Sequence, residues 1–173
     1  TVKSCHAFIK QLLEIFRDPE EIYIAQDRAF STEIAQGLQE KDLTEATTIY
    51  RQCLKLGVGI LTYTDADYPE ALRNIEDPPM VLYFKGKLPD WSAQPVIGVV
   101  GTRKASTYGL QTAHLLSSQI AACGGLVVSG AATGIDALSM EGALDVGKPT
   151  VGVLGGGVDV VYPANNRQLF SKV

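Results

Sequence analysis

Three short apolar runs, each closing in a glycine-bearing loop and separated by helix-length segments, govern what residues 95–155 can fold into. Pro95-Val96-Ile97-Gly98-Val99-Val100-Gly101 is apolar without interruption, the pattern of a strand covered on both faces. A helical segment over about 108–122 follows, then Leu126-Val127-Val128-Ser129, a second helical segment over about 135–146, and the run Thr150-Val151-Gly152-Val153-Leu154. Strand, helix, strand, helix, strand at this spacing predicts one half of a doubly wound, mainly parallel sheet with right-handed crossovers. Ligands of such sheets bind beyond the carboxyl ends of the strands, so the three loops there are the places to look for chemistry.

The first loop is Gly101-Thr102-Arg103-Lys104-Ala105-Ser106. Gly101 lets the backbone turn and approach a ligand. The hydroxyls of Thr102, Ser106 and Thr107 fall where the next helix exposes its free N–H groups, which is an anion site by geometry. Arg103 adds a planar fork suited to phosphate oxygens and Lys104 a point charge. The spacing is neither G-x-G-x-x-G nor GxxxxGK[ST], so it implies no dinucleotide or Walker-type site. Phosphate binding and a plain turn with a solvated Arg-Lys pair are the two readings the spacing leaves. In the second loop, Ser129-Gly130-Ala131-Ala132-Thr133-Gly134-Ile135-Asp136, Thr133 and Asp136 are placed to cap the following helix, or Asp136 to anchor Arg103. The third runs from Gly155-Gly156-Gly157 through Asp159 to Tyr162, Asn165, Asn166 and Arg167. Three consecutive glycines suit close approach of a ligand or another chain. Tyr162 and the Asn pair suit a base, or a turn with a core aromatic, and Arg167 a phosphate.

The first part of the chain differs. Residues 4–57 read as four short helices: Phe8, Leu12, Leu13, Ile15 and Phe16 recur at helical spacing, Pro19 with Glu20 and Glu21 starts a second helix, and Ser31-Thr32-Glu33 and Thr44-Glu45 look like N-terminal caps. Gly57 closes the last helix. Val58–Tyr63 and Val81–Phe84 are strand-like, with turn chemistry at Asp67-Tyr68-Pro69 and Asp77-Pro78-Pro79 between them. The expected division is a small helical domain over 1–57 and a Rossmann-like domain over 58–173. The net charge of −4 is uneven: residues 1–90 hold 10 Lys/Arg against 15 Asp/Glu, residues 91–173 hold 5 against 4. That balance argues against wholesale coating of nucleic acid but leaves room for a local basic pocket.

At 46% apolar and 20% charged residues the composition is that of a soluble globular protein. No apolar run reaches the ~18 residues of a membrane span, and Thr1-Val2-Lys3-Ser4 leads into an amphipathic pattern, not a signal peptide. Cys5, Cys53 and Cys123 lack metal spacing and read as reduced thiols of a cytoplasmic protein. His6 and His114 have no neighbour at ligand spacing, Trp91 reads as an anchor of its connection, and no Ser/His/Asp, Cys/His or paired-carboxylate set stands out. Neither catalysis, a metal nor a cofactor is expected.

Several motifs in order resemble one family, the DNA-processing protein DprA (Smf) family. They are Asp67-Tyr68-Pro69, Leu72-Arg73, Ile75, Asp77-Pro78-Pro79, Leu82-Tyr83, Lys85-Gly86, Val99-Val100-Gly101-Thr102-Arg103-Lys104-Ala105-Ser106 with Tyr108-Gly109, Ser129-Gly130, Gly134-Ile135-Asp136, Gly142-Ala143-Leu144, Gly147, and Asp159 with Tyr162-Pro163 and Asn166. The likeness spans residues 55–170. It departs at Ala131-Ala132-Thr133, at Leu138-Ser139-Met140 where the family usually has Ala-His, and at Gly156 and Ala164.

The resemblance implies an extended Rossmann-like fold whose C-terminal part lies beyond this chain, holding the phosphate backbone of single-stranded DNA. The role it implies is a non-enzymatic recombination mediator of natural transformation that protects incoming DNA, helps load the recombinase RecA, and works as a homodimer. Carried over by position, the phosphate site is Gly101, Thr102, Arg103, Lys104 and Ser106, walled by Ser129, Gly130, Gly134, Asp136, Gly155, Gly156, Gly157, Tyr162, Asn166 and Arg167. The alternative is a nucleotide-binding or nucleotide-hydrolysing enzyme like the lonely-guy phosphoribohydrolases. Their Pro-Gly-Gly-x-Gly-Thr-x-x-Glu loop, however, is answered here by Gly155-Gly156-Gly157-Val158-Asp159, without the Thr or Glu.

Overall fold

The change of hydrophobic period along the chain coincides with a change from helices and an antiparallel ribbon to a parallel sheet. The computed structural model describes residues 9, 10, 12–16, 18–24 and 42–173. The expected features at Cys5, His6, Phe8 and Ser31-Thr32-Glu33 lie outside them. The chain forms two compact units, Thr1–Phe84 and Lys85–Val173.

In the first unit, residues 9, 10 and 12–16 are helical, with Leu12 buried and Ile15 70% exposed. Pro19 starts α1 (Pro19–Ile24), with Glu20 and Glu21 in its first turn. Helix α2 (Thr44–Leu56) ends at Gly57, whose φ of 63° is the left-handed conformation that closes helices. Its N-terminus corrects the expected cap at Thr44-Glu45. The Asp42 carboxylate accepts from the Thr44 N–H at 2.8 Å and from the Thr44 hydroxyl, and these bonds hold its pKa below the usual carboxylate value. Strand β1 (Gly59–Thr62) pairs antiparallel with β2 (Val81–Phe84), Gly59 opposite Phe84. A side chain at Gly59 would run into the Phe84 ring. This ribbon is a sheet of its own, and Val58 N–H bonds back to Cys53 O at 2.9 Å, which is why the ribbon belongs with α2.

Between the ribbon strands, α3 (Glu70–Arg73) begins after Pro69. The Asp-Tyr-Pro and Leu-Arg motifs close on themselves here. Tyr68, 3% exposed, donates its hydroxyl to Pro79 O at 2.7 Å. Burial pushes its phenol pKa up, Tyr63 adds to that, and Arg73 opposes it. The Arg73 guanidinium donates to Tyr63 O at 3.2 Å and to Asp65 O, pairs with Glu70 at 3.2 Å, and lies over the Tyr63 and Tyr68 rings at 5.8 and 5.4 Å.

The second unit is the predicted parallel sheet. Strands β3 (Val96–Gly98), β4 (Leu126–Ser129) and β5 (Thr150–Gly152) lie in the order β3-β4-β5, with Ile97 opposite Val127 and Val128 opposite Val151. Helices α4 (Thr107–Ala122) and α5 (Ile135–Asp145) cross between them. Two right-handed crossovers advancing in one direction place both helices on one face. There Ala121, Val127 and Ala143 form a core with Val99 and Ile120.

The helices approach closely because Gly142 faces the His114 carbonyl, where any side chain would collide. The buried face of α4 is accordingly made of Ala113, Ser117 and Ala121, while Leu115 and Leu116 are more than half exposed. His114 Nε2 and Asp145 Oδ2, 2.8 Å apart, join the two helices at their rim. On the opposite face Leu126 is buried, whereas Val96 and, just beyond the strands, Val100 and Val153 are 46%, 73% and 62% exposed. After β5 the chain forms a 3-10 turn (Ala164–Asn166) and α6 (Arg167–Phe170), whose Leu169 packs on Ala131, Ala137 and Met140.

Candidate functional site

The three loops converge at the carboxyl edge of the sheet and are clamped by side chains that the sequence assigned to the ligand. Asp136, 6% exposed, accepts from Gly101 N–H at 3.1 Å. It neither caps α5, whose N-cap is Gly134 without a side-chain bond, nor is any bond to Arg103 present. Thr133 likewise makes no cap bond. A Cβ at Gly130 would stand 2.8 Å from Asp136 Oδ2 and press on that carboxylate.

Gly134, at φ 84°, lies against the backbone carbonyls of Thr102 and Arg103, where a Cβ would collide. Ile135 N–H then donates to Thr102 O at 3.3 Å. These contacts fasten the second loop onto the first. The third is fastened to the second by Asn166, whose amide donates to Ala131 O and Ala132 O at 3.0 and 3.1 Å. Ser129, 2% exposed, donates its hydroxyl to Val99 O at 2.7 Å. Ser129, Asp136 and Asn166 therefore each bond to the protein's own backbone.

What remains open is a compact set around the start of α4. Ser106 is its N-cap, and the Oγ accepts from Gly109 N–H at 3.2 Å. The first N–H groups of a helix lack intrahelical partners, and those of Thr107 and Tyr108 have none among the described residues. Thr102 Oγ1 accepts from Lys104 N–H at 3.2 Å, which folds the loop back on itself. Gly101, Thr102, Arg103, Lys104 and Ser106 are exposed. The charged groups of Arg103, Lys104 and Arg167 make no hydrogen bond or ion pair to another described residue. An anion here would meet backbone N–H groups, the positive end of a helix of 16 residues and unpaired cations together.

Gly155 and Gly156 are exposed, and a Cβ at either would meet nothing within 4 Å. Neither packing nor backbone conformation in this unit requires glycine there. Tyr162, after which the peptide to Pro163 is cis, is 70% exposed. Sequence reasoning missed Ala131, buried at φ 52° with its carbonyl held by Asn166. A left-handed alanine costs about 1 kcal/mol, and nothing in its residue type announces it. The described residues contain no cluster of His, Cys, Asp and Glu able to hold a metal.

The profile of the family described as DNA recombination-mediator protein A matches residues 59–173, more than half of the sequence. The chain belongs to this family. It is 41% identical over 116 residues to protein Smf of Synechocystis and 38% identical over 113 residues to DNA processing protein DprA of Bacillus subtilis, covering 65% of this chain in each case. It spans 29% and 38% of those two relatives' lengths.

Among solved structures, DNA processing protein A of Streptococcus pneumoniae matches 98% of the chain with a TM-score of 0.73 at 24% identity, over 58% of its own length. That likeness shows the fold. The Helicobacter pylori DNA processing protein A, described for a unique single-stranded DNA binding mode, matches 66% of the chain at 28% identity with a TM-score of 0.58, over 51% of its own length. The family match begins at the ribbon, so it includes part of the first packing unit as well as all of the second. Among the described residues no helix is long and apolar enough to cross a membrane.

Proposed function

We propose that the loop of residues 101–107 binds phosphates of single-stranded DNA and that the chain serves as a recombination mediator in natural transformation. The carrying observation is the set of donors at the α4 N-terminus: free N–H groups with Arg103 and Lys104 beside them and, among the described residues, no acid bonded to them. The family assignment and the single-strand binding described for the Helicobacter relative support the choice of ligand. The binding set is then Gly101, Thr102, Arg103, Lys104 and Ser106, with Gly155, Gly156, Gly157, Tyr162 and Arg167 as an opposing wall. Gly130, Gly134, Ser129, Asp136 and Asn166 position these loops.

Residues 58–173 act as the DNA-binding domain and residues 1–57 as an accessory helical domain. In the whole protein this site protects the incoming strand, works in a homodimer and hands DNA to RecA, in the cytoplasm, where the free thiols of Cys53 and Cys123 stay reduced. Binding without catalysis suits a third loop in which Gly155-Gly156-Gly157 is followed by Val158-Asp159, without the Thr and Glu of the phosphoribohydrolases.

The test is a fluorescence-anisotropy titration of a single-stranded oligonucleotide at several salt concentrations. Three neutralised phosphates give a slope of log affinity on log salt of about −2, and Arg103→Ala makes it shallower by about 0.7. A wild-type slope near zero, or an Arg103→Ala protein that binds like wild type, overturns the reading.

A further inference from the structure

The carboxyl edge carries more than cations. Tyr108, the second residue of α4, is 77% exposed, more than any other large apolar or aromatic side chain described. Its ring has no aromatic or cationic partner among the described residues, in contrast to Tyr63 and Tyr68, which pack tilted against each other and lie under Arg73. Val100, which immediately precedes the loop, is likewise 73% exposed, and Val160 and Tyr162 of the third loop are 56% and 70% exposed. Exposed aromatic surface of this kind, gathered beside a polar site, marks a binding surface more often than isolated apolar residues do.

Side chains on a helix lean back toward its N-terminus and cover the preceding turn. Tyr108 follows the N-cap Ser106 by two residues, so its ring leans toward the end of the anion loop. An aromatic face and a phosphate site thus stand side by side on one segment.

We propose that Tyr108 is a base-stacking residue of this site, resting on the reading that the 101–107 loop takes a DNA phosphate. A nucleotide held by its phosphate on the loop lays its base against the tyrosine ring. Every base has a π-face, so this contact is indifferent to sequence. In a duplex those faces are already stacked on neighbouring base pairs, so the contact selects unpaired strands, which phosphate binding alone does not do.

The test compares an oligothymidylate with an abasic oligonucleotide of equal length, titrated against the full chain by anisotropy. Wild type binds the intact strand about five- to a hundredfold more tightly than the abasic one. Tyr108→Ala removes that difference and leaves the salt slope unchanged, while Tyr108→Phe retains it. A 2-aminopurine placed in the strand is quenched by wild type and by Tyr108→Phe, and not by Tyr108→Ala. Thermal melts check that each variant is folded. Equal binding of the two strands by wild type overturns the stacking role while leaving the phosphate site standing, and so does a Tyr108→Ala protein that keeps the preference and the quench. If neither strand binds wild type, the phosphate reading fails and the stacking role falls with it.

Discussion

Arg73 and Arg103 both belong to motifs that define the family likeness, yet the structure treats them in opposite ways. Arg73 donates to two backbone carbonyls, pairs with Glu70 and covers two tyrosine rings. Arg103 is exposed and bonds to no described residue. The first motif is closed, its donors satisfied and its aromatic rings covered. The second holds its backbone tightly through Asp136 and Gly134 and leaves its charged ends open. A motif residue with its valences filled explains the fold, and one left unfilled on a rigid frame points to a ligand.

The sharpest way to break this contrast is to loosen the frame under the open motif. At Gly134→Ala the new Cβ meets the Thr102 carbonyl in a backbone conformation, φ 84° and ψ −130°, that side chains avoid. The expected cost is about 3 kcal/mol or more, read as a lowered melting transition, with DNA affinity falling alongside. A Gly134→Ala protein that melts like wild type would show that the two loops are not held as described.

The next effect separates the two arginines. Arg73→Ala leaves the Tyr63 and Asp65 carbonyls without their partner and uncovers two rings. A loss of about 2 kcal/mol follows, while DNA affinity of the folded protein stays at the wild-type level. Arg103→Ala should do the reverse, its stability staying within about 0.5 kcal/mol of wild type, as for surface substitutions generally. Chemical denaturation and anisotropy on both proteins decide it. If Arg73→Ala weakens DNA binding while the protein remains folded, the closed motif is not merely structural.

The parallel half of the fold was legible because continuous apolar runs, glycine loops and helix-length spacers repeat at a fixed rhythm, and the strands appear where that rhythm puts them. Two features were not. The buried stripe of α4 is Ala113, Ser117 and Ala121, while Leu115 and Leu116 are outside. Hydrophobicity ranks these residues the other way, and the reason lies far along the chain, in Gly142, which lets α5 come close. In the site, the location of the anion loop could be read from Gly101 to Ser106, but the roles of polar residues could not. Ser129, Asp136 and Asn166 have the chemistry of ligand groups, and only their burial and their backbone partners show that they fasten loops. Tyr108 is visible in the sequence as part of a family motif, but its exposure is not.

The smallest expected effect lies at the first unit's helix cap and asks how far a self-satisfied local contact stays local. Asp42 accepts from Thr44, and its carboxyl is held below the ordinary value of 3.8. A depressed folded-state pKa stabilises the helix above the unfolded value, and that contribution fades as pH falls through the folded one. On acidification from about pH 5 to pH 2, the cap-dependent part of α2 helicity should therefore decline in wild type. Asp42→Asn keeps an acceptor for the Thr44 N–H and does not titrate, so its helicity starts no higher and declines less over the same range. The difference between the two proteins in far-ultraviolet circular dichroism isolates the cap from the other carboxylates, which both retain. DNA affinity near neutral pH should be the same in both. An Asp42→Asn protein with altered DNA binding would extend the working surface to the acidic helical unit and erase the division between a region that satisfies itself and one that waits for a ligand.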